Sequence, residues 1–232
     1  AEFPTIRSRV AQLDLAYSMA TADDTGPSLF ANPTLQLSYA RMGNRQIDSP
    51  ALYTGDDTDN INQDLALGAA FAPGTWSWSL SYQFNRFDDD TGVLASTRSD
   101  LVGVDASVPV GDWLTLSPAL QIGRGEDRAT GAKQDDLAAL LGLALNLGPV
   151  AASLDYSFTR SRASDDSIDA REQVLALALN WNLLPARAGR PGLDLFMNAN
   201  WSDSDAGRDA AGIPLSRQVY LGLRAALPTG SQ

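Results

Sequence analysis

The sequence predicts an all-β fold, a transmembrane antiparallel up-and-down β-barrel of about 10–12 strands. Three observations carry the prediction. Apolar side chains alternate at period two in one segment after another. The alternating segments recur as hairpins about every 40 residues. The connections between them are short and long in turn, with the short ones expected to be periplasmic and the long, Asp-rich ones extracellular.

The elements follow in chain order. Val10 to Met19 sets Leu13, Leu15, Tyr17 and Met19 on one face. From Thr34, Leu35, Leu37 and Tyr39 alternate with Gln36 and Ser38, and the return carries Leu65, Leu67, Ala69 and Phe71. The next segment is the clearest: Trp76, Trp78, Leu80, Tyr82 and Phe84 on one face, Ser77, Ser79, Ser81 and Gln83 on the other. Successive strand side chains point to opposite faces, so such a segment presents one apolar and one polar surface. Val102, Val104 and Val108 follow, then a rising strand from about Trp113 and a return with Leu141, Leu143 and Leu145. Leu154, Tyr156 and Phe158 oppose Asp155 and Ser157, answered by Leu175, Leu177, Leu179 and Trp181. The last pair sets Leu193, Leu195, Met197 and Trp201 against Asp194, Asn198 and Asn200, then Val219, Leu221, Leu223 and Leu227.

Short turns are expected at Asn32-Pro33, Pro73-Gly74, Gly111-Asp112 and Gly148-Pro149, with a longer one at Pro185–Pro191. Polar loops are expected near 43–62, 86–98, 125–135, 162–171 and 203–215. A propeller blade would need four short strands in each repeat, whereas each repeat here holds two long ones. A soluble sandwich or lipocalin-like barrel would face water with Lys and Glu. The second face here is Ser, Ala, Gly, Asn, Gln and a few Asp, which suits a barrel interior.

Ten strands make five hairpins from Thr34 to Leu227, and Val10 to Met19 is an eleventh. Single-chain bacterial barrels have even strand numbers. Either Pro27–Ala31 supplies a twelfth strand, or the partner of the first lies upstream. Arg7-Ser8-Arg9-Val10 resembles Ser216-Arg217-Gln218-Val219, which opens a descending strand, and this favours the upstream partner. The ending Leu227 to Gln232 lacks the aromatic last residue common in such barrels. Residues 1–232 therefore read as a single barrel domain, open to being a fragment of a longer protein.

Composition narrows the chemistry. Cys and His are both absent, which removes disulfides, thiolate metal sites and the usual general base. The net charge of −11 comes from Asp, with Glu2, Glu126 and Glu172 the only glutamates and Lys133 the only lysine. Such a balance excludes a nucleic-acid partner, whose phosphates require a basic footprint. No stretch approaches the roughly 20 apolar residues of a membrane-spanning helix, a test blind to barrels. No P-loop, dinucleotide fingerprint or zinc pattern occurs, and no cofactor or metal is expected. Asp56-Asp57-Thr58-Asp59-Asn60 has oxygen ligands but lacks the glycine and final glutamate of a calcium loop.

Three residue sets are candidates for function. An aromatic girdle is expected, with Phe71, Trp76, Trp78 and Trp181 beside the short turns and Tyr39, Tyr82, Phe84, Phe158 and Trp201 toward the outer rim. Arg41, Arg86, Arg124 and Arg160 each follow the last outward apolar residue of a rising strand by two positions. They share the lipid-facing parity at headgroup height, where planar guanidinium forks suit lipopolysaccharide phosphates or simply snorkel. Asp14, Asp105, Asp155, Asp194 and Arg224 have inward parity and would line a lumen, either as an aqueous pore or as a closed interior in which Arg224 pairs with an Asp.

The chain resembles the bacterial outer-membrane β-barrel superfamily from about Val10 to Leu227, by pattern rather than by a family motif. Porins, export barrels and autotransporter translocators share that pattern. The resemblance implies a Gram-negative outer membrane, with its lipid and lipopolysaccharide as surroundings. Barrel enzymes of this superfamily build their sites around histidine, so no catalytic residues are expected and the chain reads as not an enzyme. The expected function is a narrow pore for diffusion or export of solutes or an extended polymer. The alternatives are a plugged membrane anchor or translocator serving a periplasmic or surface partner protein, and a soluble β-sheet adhesin.

Overall fold

The computed structural model describes residues 4–20, 29–48, 58–185, 191–205 and 215–226. Among these, eleven strands are present: β1 (Thr5–Ser18), β2 (Thr34–Asp48), β3 (Asp59–Phe71), β4 (Ser77–Asp89), β5 (Thr97–Val110), β6 (Leu114–Asp127), β7 (Lys133–Leu147), β8 (Val150–Ala163), β9 (Asp169–Leu184), β10 (Gly192–Ser204) and β11 (Leu215–Ala226). The fold is all-β, with the strands hydrogen-bonded in chain order from β1 to β11. The recorded pairings are antiparallel, so the topology is up-and-down. The rising strands predicted near 34, 76, 113, 150 and 192 begin at Thr34, Ser77, Leu114, Val150 and Gly192. The end at which β2, β4, β6 and β8 finish is called the loop end below, and the opposite end the turn end.

The chain divides into two compact units, residues 1–104 with 121–136 and 161–168, and residues 105–120 with 137–160 and 169–232. In the first unit the register places Leu13 opposite Tyr39 and Leu15 opposite Leu37. Leu37 meets Leu67 on its other side, and Leu67 meets Tyr82. Directly opposed side chains share a face, so these apolar residues form one continuous surface. Gln36, Ser38, Gly68 and Ser81 form the reverse surface. In the second unit, Leu195 lies between Trp181 and Leu223, and Met197 between Leu179 and Leu221, on the apolar face. Asp194 lies between Asn182 and Arg224 on the polar one.

The turns are built where glycine or asparagine supplies the backbone. Gly148 takes a φ of 67° in the connection joining β7 to β8, a conformation that costs glycine little and other residues more. Asn32 has a φ of 49° and donates from Nδ2 to the carbonyl of Ala72 at 3.0 Å, tying the β1–β2 connection to the end of β3. Of the stretch considered for a twelfth strand, Leu29 and Phe30 form a turn, and Pro27 and Ser28 lie outside the described residues.

The outer connections are shorter than the sequence reading placed them. β4 continues to Asp89 and β5 resumes at Thr97, where a loop was expected over 86–98. Likewise β6 runs to Asp127, β7 begins at Lys133, and the first strand opens at Thr5 rather than Val10. Cross-strand polar contacts extend the ladders: Arg124 Nε donates to Asp135 at 2.6 Å, and Asn44 Nδ2 to Asn60 at 3.1 Å. Polarity on both faces had read as loop, although a strand that leaves the hydrocarbon layer has no need of an apolar face. Of the loop expected at 43–62, residues 49–57 lie outside the described residues, as does most of 203–215.

No apolar core is present among the described residues. Ala163 is the one buried hydrophobic residue, and no large side chain is fully buried. Leu221 is 71% exposed, Tyr17 57% and Ile122 55%, all on the apolar face. Water would penalise that surface at about 25 cal/mol per Å². Hydrocarbon does not, and it requires in exchange that backbone groups be paired, which the ladders do.

Candidate functional site: the polar face and the outer rim

In the first unit, three of the polar-face carboxylates are each held by neutral side-chain donors of the strands. Asp14 accepts from Ser38 Oγ and from Gln12 Nε2, both at 2.7 Å. Asp64 accepts from Asn62 Nδ2 at 2.7 Å and Asn85 Nδ2 at 2.5 Å. Asp136 accepts from Ser161 Oγ at 2.5 Å and Gln134 Nε2 at 2.9 Å. Neutral donors hold a carboxylate in place without cancelling its charge. Gly103 on the same face makes room for Ser81, since a Cβ there would meet its Oγ at 2.8 Å.

Of these, Asp14 belongs to the expected lumen set, whereas Asp64 and Asp136 were missed. Asp64 shares its parity with Ala66 and Gly68, and Asp136 with Gly142. Extending the alternation backwards from Leu65 and Leu141 would have found both.

In the second unit Asp155 leans over Gly142, where a Cβ would stand 3.3 Å from its Oδ1. Asp105 shares the parity of Gly103 on β5. Asp194 is directly opposite Arg224. The Arg224 guanidinium lies over the Phe196 ring at 5.8 Å, a cation–π contact, and has no ion pair with an aspartate among the described residues. Phe196 itself is on the polar face, packed against Gly222, and the outward series Leu193, Leu195, Met197, Trp201 had passed over it.

The cations are sorted by face, whereas acids occur on both. Among the described strands, Arg224 is the one cation with inward parity; Arg7, Arg9, Arg41, Arg45, Arg86, Arg98, Arg124, Lys133, Arg160, Arg162, Arg171 and Arg217 all share the apolar parity.

On the apolar face at the turn end, Phe71 stacks on Trp78 at 4.5 Å between centroids, and Phe30 meets both edge-on at 5.3 and 5.6 Å. Trp78 Nε1 donates to the carbonyl of Leu29 at 2.7 Å. Trp76 is half-buried in the connection leading to β4, and Trp181 is 44% exposed opposite Leu195. Toward the loop end, Tyr39 lies between Leu13 and Leu65, and Trp201 between Leu175 and Arg217.

A pattern unnoticed in the sequence occurs once in each unit. Tyr82 donates its hydroxyl to Asp100 at 2.6 Å while Arg98 covers Phe84 at 5.4 Å. In the same way, Tyr156 and Gln173 are hydrogen-bonded at 3.2 Å while Arg171 covers Phe158 at 5.4 Å. Tyr-x-Phe on a rising strand thus faces Arg-x-Asp or Arg-x-Gln on the return, placing a cation over the Phe84 and Phe158 rings.

The four arginines expected at the rim lie on the apolar face, in unlike settings. Arg86 Nε reaches Asp88 at 2.6 Å, and Arg128 closes on the same carboxylate. Arg124 grips Asp135 through two bonds of 2.6 and 3.1 Å. Arg160 is 3.5 Å from Asp169. Arg41 has no ion pair among the described residues and lies opposite Ala11.

A family model of Gram-negative porins matches residues 12–187. Among solved structures, the chain is similar to OmpT, an outer membrane protein of Vibrio cholerae folded in vitro. That similarity is at 10% identity and a TM-score of 0.47, over 97% of this chain and 98% of the other. No curated protein matches the chain. The family match covers most of the sequence: the chain belongs to the Gram-negative porin family, is an outer-membrane β-barrel, and resides in the Gram-negative outer membrane.

Proposed function

We propose that this porin is a narrow, cation-favouring conduit for small solutes, with no catalytic step. The observation that carries the reading is the scarcity of cations on the polar face: carboxylates such as Asp14, Asp64 and Asp136 stand there, while every cation of the described strands but Arg224 stands on the apolar face. A barrel of this strand number is intermediate between filled eight-strand barrels and open porins of sixteen strands, so conduction is narrow. A carboxylate about 6 Å from a passing ion in water contributes about 0.7 kcal/mol before screening. Screening over about 8–10 Å reduces this to roughly a twofold local enrichment of cations per group.

The test is single-channel recording in a planar bilayer under a salt gradient. Asp14→Asn, Asp64→Asn and Asp136→Asn combined, and separately Asp14, Asp105, Asp155 and Asp194 changed to Asn, are expected to keep conduction and lower the cation preference several-fold. A folded barrel that never conducts would defeat the conduit and leave the anchor reading. Steady conductance with unchanged selectivity in both variants would defeat the role of the polar-face acids.

A further inference from the structure

The rim arginines fall into two kinds. Arg86 and Arg124 are held at 2.6 Å by Asp88 and Asp135. Arg7, Arg9 and Arg41 have no ion pair among the described residues, and Arg45 reaches Asp59 only at 3.5 Å with its side chain 75% exposed. The β1–β2 register brings these last four together, since Arg7 is opposite Arg45, Arg9 opposite Gly43, and Ala11 opposite Arg41. All four share the face of Leu13 and Tyr39. In a chain of net charge −11, four arginines thus converge against one aspartate among the described residues.

Like charges directly opposed across a strand pair are destabilising. Among the described residues the Arg7–Arg45 pair has one aspartate near it, Asp59 at 3.5 Å from Arg45, so a further anion would be stabilised there. Gly43 opens the floor between them, and the groove around it, bounded by Ile61 and Asn60, has a volume of about 600 Å³. The height fits a lipid headgroup. At about 3.3 Å per residue and a tilt near 40°, each strand residue climbs about 2.5 Å. Arg41 to Arg45 then stand roughly 15 to 25 Å above Leu35, across the upper part of an apolar band about 25 Å tall. Arginine stems lie along apolar surface and deliver their forks to the interface.

We propose that Arg7, Arg9, Arg41 and Arg45 form a binding site for the phosphate of an outer-leaflet lipid headgroup of the lipopolysaccharide class. A guanidinium fork can donate two parallel hydrogen bonds to phosphate oxygens, which lysine would not reproduce. The bound phosphate relieves the Arg7–Arg45 repulsion and joins β1 to β2 through a lipid.

The experiment measures lipopolysaccharide binding to the refolded full chain by native mass spectrometry from detergent. Arg9→Gln with Arg41→Gln is expected to weaken binding about tenfold, whereas Arg124→Gln, whose arginine Asp135 already holds, leaves it unchanged. Lipopolysaccharide stripped of phosphate is expected to bind the unaltered chain no better than intact lipopolysaccharide binds the double variant. Equal binding by the stripped lipid, an unaffected double variant, or an equal loss in Arg124→Gln would each overturn the proposal. Inorganic phosphate binding as tightly as the lipid would also overturn it, by making the site one for soluble anions. Should the double variant not fold, Arg9→Gln alone stands in, with a loss of about threefold expected and none overturning the site.

Discussion

Replacing Trp78 tests whether the aromatic cluster at the turn end stabilises the barrel as its geometry implies. The indole stacks on Phe71 at 4.5 Å, meets Phe30 edge-on at 5.6 Å, and donates to the Leu29 carbonyl at 2.7 Å. Aromatic pairs of this kind contribute about 0.5–1.5 kcal/mol each beyond area, and a neutral hydrogen bond about 1 kcal/mol. Trp78→Leu keeps an apolar side chain facing lipid, so the transfer terms largely cancel. The expected loss is about 3 kcal/mol, a shift of about a hundredfold in the unfolding equilibrium. Trp78→Phe keeps the stacking and removes the donor, so it should cost about 1 kcal/mol. A Phe71→Leu, Trp78→Leu double-mutant cycle should return a coupling near 1 kcal/mol. The assay is reversible urea unfolding from lipid vesicles, followed by tryptophan fluorescence and circular dichroism. A coupling indistinguishable from zero, or equal losses from Trp78→Phe and Trp78→Leu, would refute the reasoning.

Two further predictions concern single positions. In the β8–β9 turn, the Ser167 hydroxyl and backbone N–H both donate to Asp165 and hold its carboxyl below the usual aspartate value. A depressed folded pKa adds stability above the unfolded value that is lost as pH falls through the folded one. Carboxyl NMR should therefore give Asp165 a midpoint below that of an unstructured aspartate, with Ser167→Ala raising it; coincident midpoints would contradict the turn geometry. Gly222→Ala should destabilise by about 1–3 kcal/mol through overpacking, because the Phe196 ring occupies the space of the new methyl. Phe196→Ala in the same chain should remove most of that penalty in urea titrations, and an undiminished penalty would place the strain elsewhere.

The strands were legible in the sequence wherever hydrocarbon acts on one face. Trp78, Leu80, Tyr82 and Phe84 alternate with serine and glutamine because one side must be apolar and the other must not, and β4 starts within a residue of its predicted place. The signal failed where the strands leave the hydrocarbon. Phe87, Asp88 and Asp89 continue β4, yet their polarity read as loop, since the ladder survives after alternation has lost its cause. Asp64 and Asp136 were passed over for the same reason, lying just beyond the last clear apolar residue of their strands. The rim arginines show a second limit. Arg7 and Arg9 were visible as a strand opening, but only the register with β2 sets them beside Arg41 and Arg45. Spacing along one strand cannot report which residues of another strand stand opposite.

The absence of an apolar core among the described residues has an evolutionary consequence. In an ordinary globule a core side chain touches residues from many elements, so losing an element injures all its neighbours. Here the register of β1 to β4 is written in pairs of strands adjacent in sequence, and no large side chain is fully buried among the described residues. A hairpin is then a self-contained clause. Duplication or deletion of one, cut at turns such as Gly148-Pro149, would change how many strands the sheet holds without rewriting the contacts of the rest. Lineages of such chains can therefore change calibre in steps of two strands, each reached by one genetic event and tolerated at once by the fold that receives it.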